Sequence, residues 1–305
     1  MLSYALKQNH KKYIRTFKGK YFKPTYISTQ YKIKKKTIVF DLDETLGQFT
    51  DLHVVYKTVV KLLHRDLSQS EFNALMDLYP EFLRPGIITI LEFLYHKKTQ
   101  NSFYRLFLYT NNQCSGNWIK YIINYLHLRI GALEKPLFEE PICAFKIRDK
   151  VVELRRTSNV KSYSDLIQCI MLPSETTEIC FIDNTYYEKM CNDSVYYILP
   201  QSYYHSLKKN EIIKRLIKNI NIFTSSIDSV VLYNLLEISL CENEYDKTSR
   251  ETDIYITKKI MFHVREFLYF GSDDAIYRIK HSGKTARRSR GFKVSTKTRK
   301  NMEFL

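Results

Sequence analysis

The sequence predicts an α/β protein with a mostly parallel sheet flanked by helices. Two observations predict it. Short apolar runs alternate with segments of helical periodicity from Lys36 onward, which reads as successive βαβ units. Polar, chemistry-bearing residues follow three of those runs at once, as they do at the carboxyl ends of strands in open α/β sheets.

The elements follow in order. "TIVF" (Thr37–Phe40) reads as a buried strand. Residues 51–83 form a connection that is helical in part, through "SEFNALMDLY". "PGIITILEFLYHKK" carries a helical stripe of Ile87, Ile90, Leu91 and Leu94, with Pro85 near its start. "YRLFLYT" is a second strand, and "GNWIKYIINYLHL" a second helix through Trp118, Ile122 and Leu126. Between Leu133 and Lys161 the alternation breaks. A β-hairpin insertion is expected there, with strands around Cys143–Ile147 and Val151–Leu154. "EICFIDN" and "VYYILP" supply the third and fourth strands. After Pro200 the pattern turns helical, with one apolar face of Ile212, Ile213, Leu216, Ile217 and Ile220 and another of Ile260, Met261, Val264, Phe267 and Leu268. Both stripes are expected to be core packing, with "CENEYDKTSRETD" as the loop between them.

The 305 residues carry 48 Lys/Arg against 32 Asp/Glu, a formal charge of +16. That charge is not spread evenly. Residues 1–36 hold eleven bases and no acid, and residues 275–305 hold ten bases and one acid, Glu303. The stretch from Thr37 to Asp274 is left mildly acidic, with 27 bases and 31 acids. The expected organisation is a basic N-terminal extension over 1–35, an α/β domain over 36–205, a helical extension over 206–274 and a basic disordered tail over 275–305. The basic ends lack core-forming periodicity, so residues 1–30 and 280–305 are expected to be disordered on their own. They are read either as arms that hold nucleic acid non-specifically or as solvating or nuclear-targeting segments.

Six cysteines show no CxxC pair and no zinc spacing with the eight histidines, so they read as buried thiols in a reducing compartment. No apolar window approaches a membrane span. The N-terminus is basic and acid-free like a mitochondrial leader, yet rich in Lys where such leaders favour Arg. "HSGKTARR" has Arg278 where a phosphate loop needs its first glycine.

The stretch "KKKTIVFDLDETLGQF" puts Asp41, Asp43 and Glu44 directly after a buried strand. In extended backbone Asp41 and Asp43 share a face while Leu42 points away. Such a pair suits Mg²⁺, which takes oxygen ligands and needs only one or two protein carboxylates. The other strand ends complete the inventory for a phosphate with that cation. Thr110-Asn111-Asn112 follows "LFLY", Asp183-Asn184-Thr185 follows "ICFI", and Lys161 precedes the helix leading to that strand. Each has a plainer reading too. Thr110 could satisfy its own backbone, Arg155 and Arg156 are alternatives to Lys161, and Asn111 and Asn112 read as loop formers. Arg84 either starts a helix or reaches substrate.

These motifs resemble the haloacid-dehalogenase superfamily, and within it the branch of transcription-factor-type and small C-terminal-domain phosphatases. "FDLDETL" is similar to that branch's first motif, including Glu44; "FLRPGIITILEFL" resembles its Arg-Pro-Gly helix start, "LFLYTNN" its second motif, "NVKSYSDL" its third and "CFIDNTYYEKMCND" its fourth. The likeness runs from Lys36 to Pro200. It implies a Rossmann-like fold of that superfamily and a Mg²⁺-dependent phosphatase working through an aspartyl-phosphate. Asp41 is then the nucleophile, Asp43 the general acid and base, and Thr110 and Lys161 the holders of the phosphoryl oxygens. Asp41, the Asp43 carbonyl and Asn184 are the metal ligands, with Asp183 in support. The implied substrate is a phosphoserine or phosphothreonine protein, with the RNA polymerase C-terminal tail as default. The implied setting is intracellular, nuclear or cytoplasmic in preference to mitochondrial, without a membrane partner. Two alternatives stay open: a nucleic-acid 3′-phosphatase, and a non-catalytic binder on the same fold, similar to a mitochondrial translocase subunit. The insertions and the helical extension depart from the family's text.

Overall fold

The computed structural model describes residues 10–23, 35–100, 104–114, 117–132, 134–242 and 248–269. A helical turn, α1 (His10–Tyr13), leads into β1 (Ile14–Lys18). Then come β2 (Lys35–Phe40), α2 (Thr50–Leu63), α3 (Gln69–Asp77), α4 (Ile87–Gln100) and β3 (Tyr104–Leu108). They are followed by α5 (Asn117–Arg129), the short strands β4 (Lys146–Ile147) and β5 (Lys150–Val151), α6 (Tyr163–Ile170), β6 (Thr177–Ile182) and β7 (Val195–Pro200). The chain then runs through α7 (Lys209–Lys218), α8 (Ser229–Ser239) and α9 (Arg250–Tyr269).

Five strands form one sheet in the order β1-β7-β6-β2-β3. β7, β6, β2 and β3 are parallel, and β1 is antiparallel to β7 at one edge. Every residue of β6 and β7 is buried, and so are Thr37–Phe40 of β2, because helices cover both faces of a parallel sheet. On one face Val39, Phe107, Tyr109, Phe181 and Tyr197 pack with Leu166 and Ile170 of α6. From β2 the chain passes to β3 on one side and later to β6 on the other. The β2–β6 boundary is therefore the point where the winding reverses, and a ligand crevice is expected at its carboxyl end.

Several expectations need correction. Residues 10–23 are not a disordered tail. Ile14 and Phe22 are buried, and β1 pairs with β7 from Ile14↔Pro200 to Lys18↔Tyr196. Burying Ile14 and Phe22 stabilises this segment by roughly 2 kcal/mol each, and the pairing covers the edge of β7, leaving β1 as the sheet's edge strand. The predicted division at residue 36 therefore falls inside one sheet. The stretch 51–83, expected to be helical in part through "SEFNALMDLY", also holds a helix ahead of that segment. α2 begins right behind the first motif, and α3 starts with a capping box in which Ser68 and Glu71 bond each other's backbone N–H. The hairpin insertion exists, with strands of only two residues each. The region beyond residue 205 contains a third helix, α8, and "SRETD" begins α9 instead of ending a loop. The chain divides into compact units of Met1–Phe267 and Leu268–Leu305, so most of the helical extension belongs with the sheet. The expected tail over 275–305 lies outside the described residues.

All six cysteines are free, but of these only Cys180 is buried, while Cys191 and Cys241 are exposed. Among the described residues no helix is long and apolar enough to cross a membrane.

Candidate active site

The first motif leaves the sheet at Phe40. The Asp41 N–H bonds to the Ile182 carbonyl (2.9 Å), which seats Asp41 beside the end of β6. Leu42 turns into the core, and the chain reverses through Glu44, whose φ of 61° is a left-handed backbone that non-glycine residues seldom adopt. Its N–H bonds to the Gly47 carbonyl at 2.6 Å. Gly47 is required by space, since a Cβ there would lie 2.4 Å from the Phe82 carbonyl oxygen.

Arg84 fixes this turn from below. Its guanidinium donates to the Thr45 carbonyl (2.8 Å), the Glu44 carbonyl (2.7 Å) and the Gln201 carbonyl (2.8 Å). Buried, with Nε and Nη2 bonded to backbone oxygens, Arg84 is a clamp on the motif.

Three side chains meet at the carboxyl ends of β2 and β6. Lys161 Nζ lies 2.5 Å from Asp41 Oδ1 and 2.7 Å from Asp183 Oδ2. All three residues are buried. The rings of Tyr109, Phe181 and Tyr187 stand 5.4, 5.9 and 5.6 Å from the ammonium, and their negative faces add to its stabilisation. Burial alone would strip the proton from Lys161. The Asp41 and Asp183 carboxylates outweigh it and hold the lysine above its ordinary value.

The two alternatives to Lys161 fall away. Arg155 is exposed. Arg156 is buried and donates to the carbonyls of Thr110 (3.1 Å), Cys143 (2.7 Å) and Asn159 (3.2 Å) and to Asn111 Oδ1 (2.7 Å). It ties the hairpin insertion to the end of β3.

Asp43 stands next to this cluster without touching Lys161. Burial lifts its pKa to about 6; Asn112 opposes the rise, while Asp41 and Glu44 add to it. Its Oδ2 accepts a hydrogen bond from Asn112 Nδ2 at 2.8 Å. Sequence reasoning missed Asn112, because an asparagine after a strand carries no signal beyond turn formation.

Thr110 is fully buried, and its Oγ1 accepts the Asn112 N–H (2.9 Å). It thus serves its own loop, with its hydroxyl hydrogen left to donate. Asn184 makes no hydrogen bond to Asp41 or Asp43. Its Oδ1 accepts from Thr45 Oγ1 (2.9 Å), and its Nδ2 donates to Glu44 Oε2 (3.1 Å) and Ser202 Oγ (3.0 Å). Both Asp183 oxygens are engaged, one by Lys161 and the other by the Thr185 N–H (2.8 Å).

The fit to a divalent cation follows from these contacts. Among the described residues no three His, Cys, Asp or Glu side chains gather as a metal cage. Mg²⁺ needs less than that. Nothing among the described residues donates to the second oxygen of Asp41 or to the Asp43 carbonyl. Burial pushes the Asp183 pKa up; Lys161 opposes the rise, and the neighbouring Asp41 carboxylate adds to it. Oxygen donors left free amid surplus negative charge suit a hard dication.

The fold and the site together define an α/β protein with a carboxylate–lysine cluster at the winding reversal of its sheet. Compared with protein-family models, with curated proteins and with solved structures, the chain matches none.

Proposed function

We propose that this chain is a Mg²⁺-dependent phosphatase of the haloacid-dehalogenase kind, acting on phosphoserine or phosphothreonine in proteins. The observation that carries the reading is Lys161 held between Asp41 and Asp183 at the carboxyl ends of β2 and β6, with Asp43 beside them. A lone buried ion pair would need one carboxylate. This site sets two on a single lysine with a third, Asp43, beside them, at a place in the fold where ligands bind.

In this reading a carboxylate oxygen of Asp41 attacks phosphorus, and the bond from phosphorus to the ester oxygen breaks. Asp43 hands its proton to that departing oxygen. The carboxylate left on Asp43 then takes a proton from water, the water oxygen attacks phosphorus, and the bond to Asp41 breaks. Phosphate leaves, with Asp41 restored and Asp43 reprotonated. A pKa of about 6 suits a group that must give and take a proton in one cycle. Lys161 and the Thr110 hydroxyl hold the phosphoryl oxygens, Lys161 also meeting the charge that builds in the transition state. Mg²⁺ bound by Asp41, the Asp43 carbonyl and Asn184, with Asp183 in support, would neutralise the two anions that the reaction brings together.

The default substrate is the RNA polymerase C-terminal tail, and the proposed setting is nuclear or cytoplasmic. A nucleic-acid 3′-phosphatase is the second reading, favoured by the bases at the two ends of the chain and disfavoured by Glu44. A non-catalytic binder would not need the full set of site residues. The test is turnover of phosphopeptides, 3′-phosphorylated oligonucleotides and an aryl phosphate, with and without EDTA. Activity is expected only with Mg²⁺ and is lost in Asp41→Asn. Equal turnover in EDTA sinks the proposed mechanism.

A further inference from the structure

The loop after β3 is built as a bracket around one side chain. Thr110 Oγ1 accepts the backbone N–H of Asn112 at 2.9 Å. Asn112 Oδ1 accepts the backbone N–H of Cys114 at 2.8 Å. Arg156 pins the same loop through the Thr110 carbonyl and Asn111 Oδ1. The Cys114 N–H can only donate, so the atom facing it must be the amide oxygen. The other end of Asn112 is therefore the NH₂ group, and it points at Asp43 Oδ2 across 2.8 Å.

An oxygen facing an N–H cannot carry its own hydrogen along that line. With Asn112 donating to Oδ2, the acidic proton of Asp43 is favoured on Oδ1, the oxygen that accepts no hydrogen bond from the described residues. Nothing else among the described residues donates to the Asp43 side chain. We infer that Asn112 is a positioning residue, which turns the Asp43 carboxyl and selects the oxygen that delivers the proton to the leaving group. The inference rests on the phosphatase reading and names a residue that reading does not require.

The consequence depends on the leaving group. An alkoxide leaves poorly and needs the proton, whereas a nitrophenolate leaves without it. The measured quantity is kcat/KM in Mg²⁺ for a phosphoserine peptide and for nitrophenyl phosphate. This ratio reports only steps up to the first irreversible one, so the later use of Asp43 as a base does not enter. Asn112→Asp keeps the acceptor for Cys114 N–H and removes the donor to Asp43, and Asn112→Ala removes both. In Asn112→Asp the peptide value is expected to fall by about 10²-fold, with the nitrophenyl value held within about threefold. Asn112→Ala is expected to show the same asymmetry.

An equal fall on both esters in both variants would make Asn112 a support of the loop only and overturn the inference. So would no fall on either. A wild-type protein inactive on both esters would instead overturn the phosphatase reading, and this inference with it.

Discussion

At Lys161 burial and charge pull in opposite directions, and two carboxylates decide the outcome. The same arrangement makes its replacement informative. On the proposed phosphatase reading, Lys161→Ala removes charge stabilisation of the transferring phosphoryl group, an effect of about 3–4 kcal/mol or 10²–10³-fold in kcat if it resembles loss of an oxyanion donor. It also leaves Asp41 and Asp183 facing each other without a counterion, so the variant should bind Mg²⁺ more tightly while turning over less. Turnover of the aryl phosphate and Mg²⁺ titration of both proteins check this. Activity within about threefold of wild type would assign the role to another base, although Arg156 is committed to carbonyls and Arg155 is exposed. Among single residues, Asp41, Asp43, Lys161 and Asp183 were legible because each sits at a strand end or next to a motif. Asn112 and Arg156 were not, because what they do depends on partners 69 and 46 residues away.

Among the elements, α9 shows how the helical extension is held. Tyr196 of β7 bonds His263 Nδ1 (2.9 Å) and also Glu266 Oε2, and Lys18 of β1 reaches Glu266 Oε1 at 2.7 Å. Phe22 and Phe267 pack their rings against Tyr196. The hydrogen bond from His263 is the largest influence on Glu266. Burial works against it, Lys18 and Tyr196 add to it, and the carboxyl is held down at about 2. Its folded value lies below the ordinary 4.5, so the unfolded chain binds more protons between those limits. The stability this group contributes is present above about 4.5 and is lost as pH falls towards about 2. Glu266→Gln should lower the melting temperature at pH 7 and flatten its decline across that acid window. If the two proteins' melting temperatures differ by the same amount at pH 6 and pH 3, Glu266 does not couple to folding in this way. The network also explains why β1 escaped the sequence reading. "IRTFK" offers little apolar alternation, and its pairing partner lies some 180 residues away.

Over the whole molecule the charge is divided between a mildly acidic centre and basic ends. Part of the N-terminal end is taken into the sheet, where Lys18 is spent on Glu266. The segment 280–305 therefore remains the better candidate for an electrostatic tether, holding the protein near a polyanion by counterion release without reading its sequence. Such a tether raises local concentration and leaves the active site unchanged. Deleting 280–305 should spare turnover of a small phosphate ester while weakening salt-sensitive binding to DNA or RNA. No binding by the full-length protein at low salt would leave targeting or solubility as the role of that segment.

The sequence by itself determined the four parallel strands, the helices α3, α4 and α5 and the order in which acids and the lysine reach the sheet's carboxyl edge. Apolar runs and helical periodicity are local properties, and a parallel sheet brings its strand ends to one edge by construction. Tertiary structure alone decided that β1 pairs with β7 and that Arg84 and Arg156 are clamps, which left Lys161, named from the sequence with Arg155 and Arg156 as alternatives, on the two carboxylates. It also decided that Asn112 faces Asp43 and that Asn184 faces Thr45. Each of these is a choice among chemically similar residues, made by which buried donor finds an acceptor across the fold. An unpaired buried polar group costs about 1–3 kcal/mol; that cost, which no local pattern encodes, selects the partner.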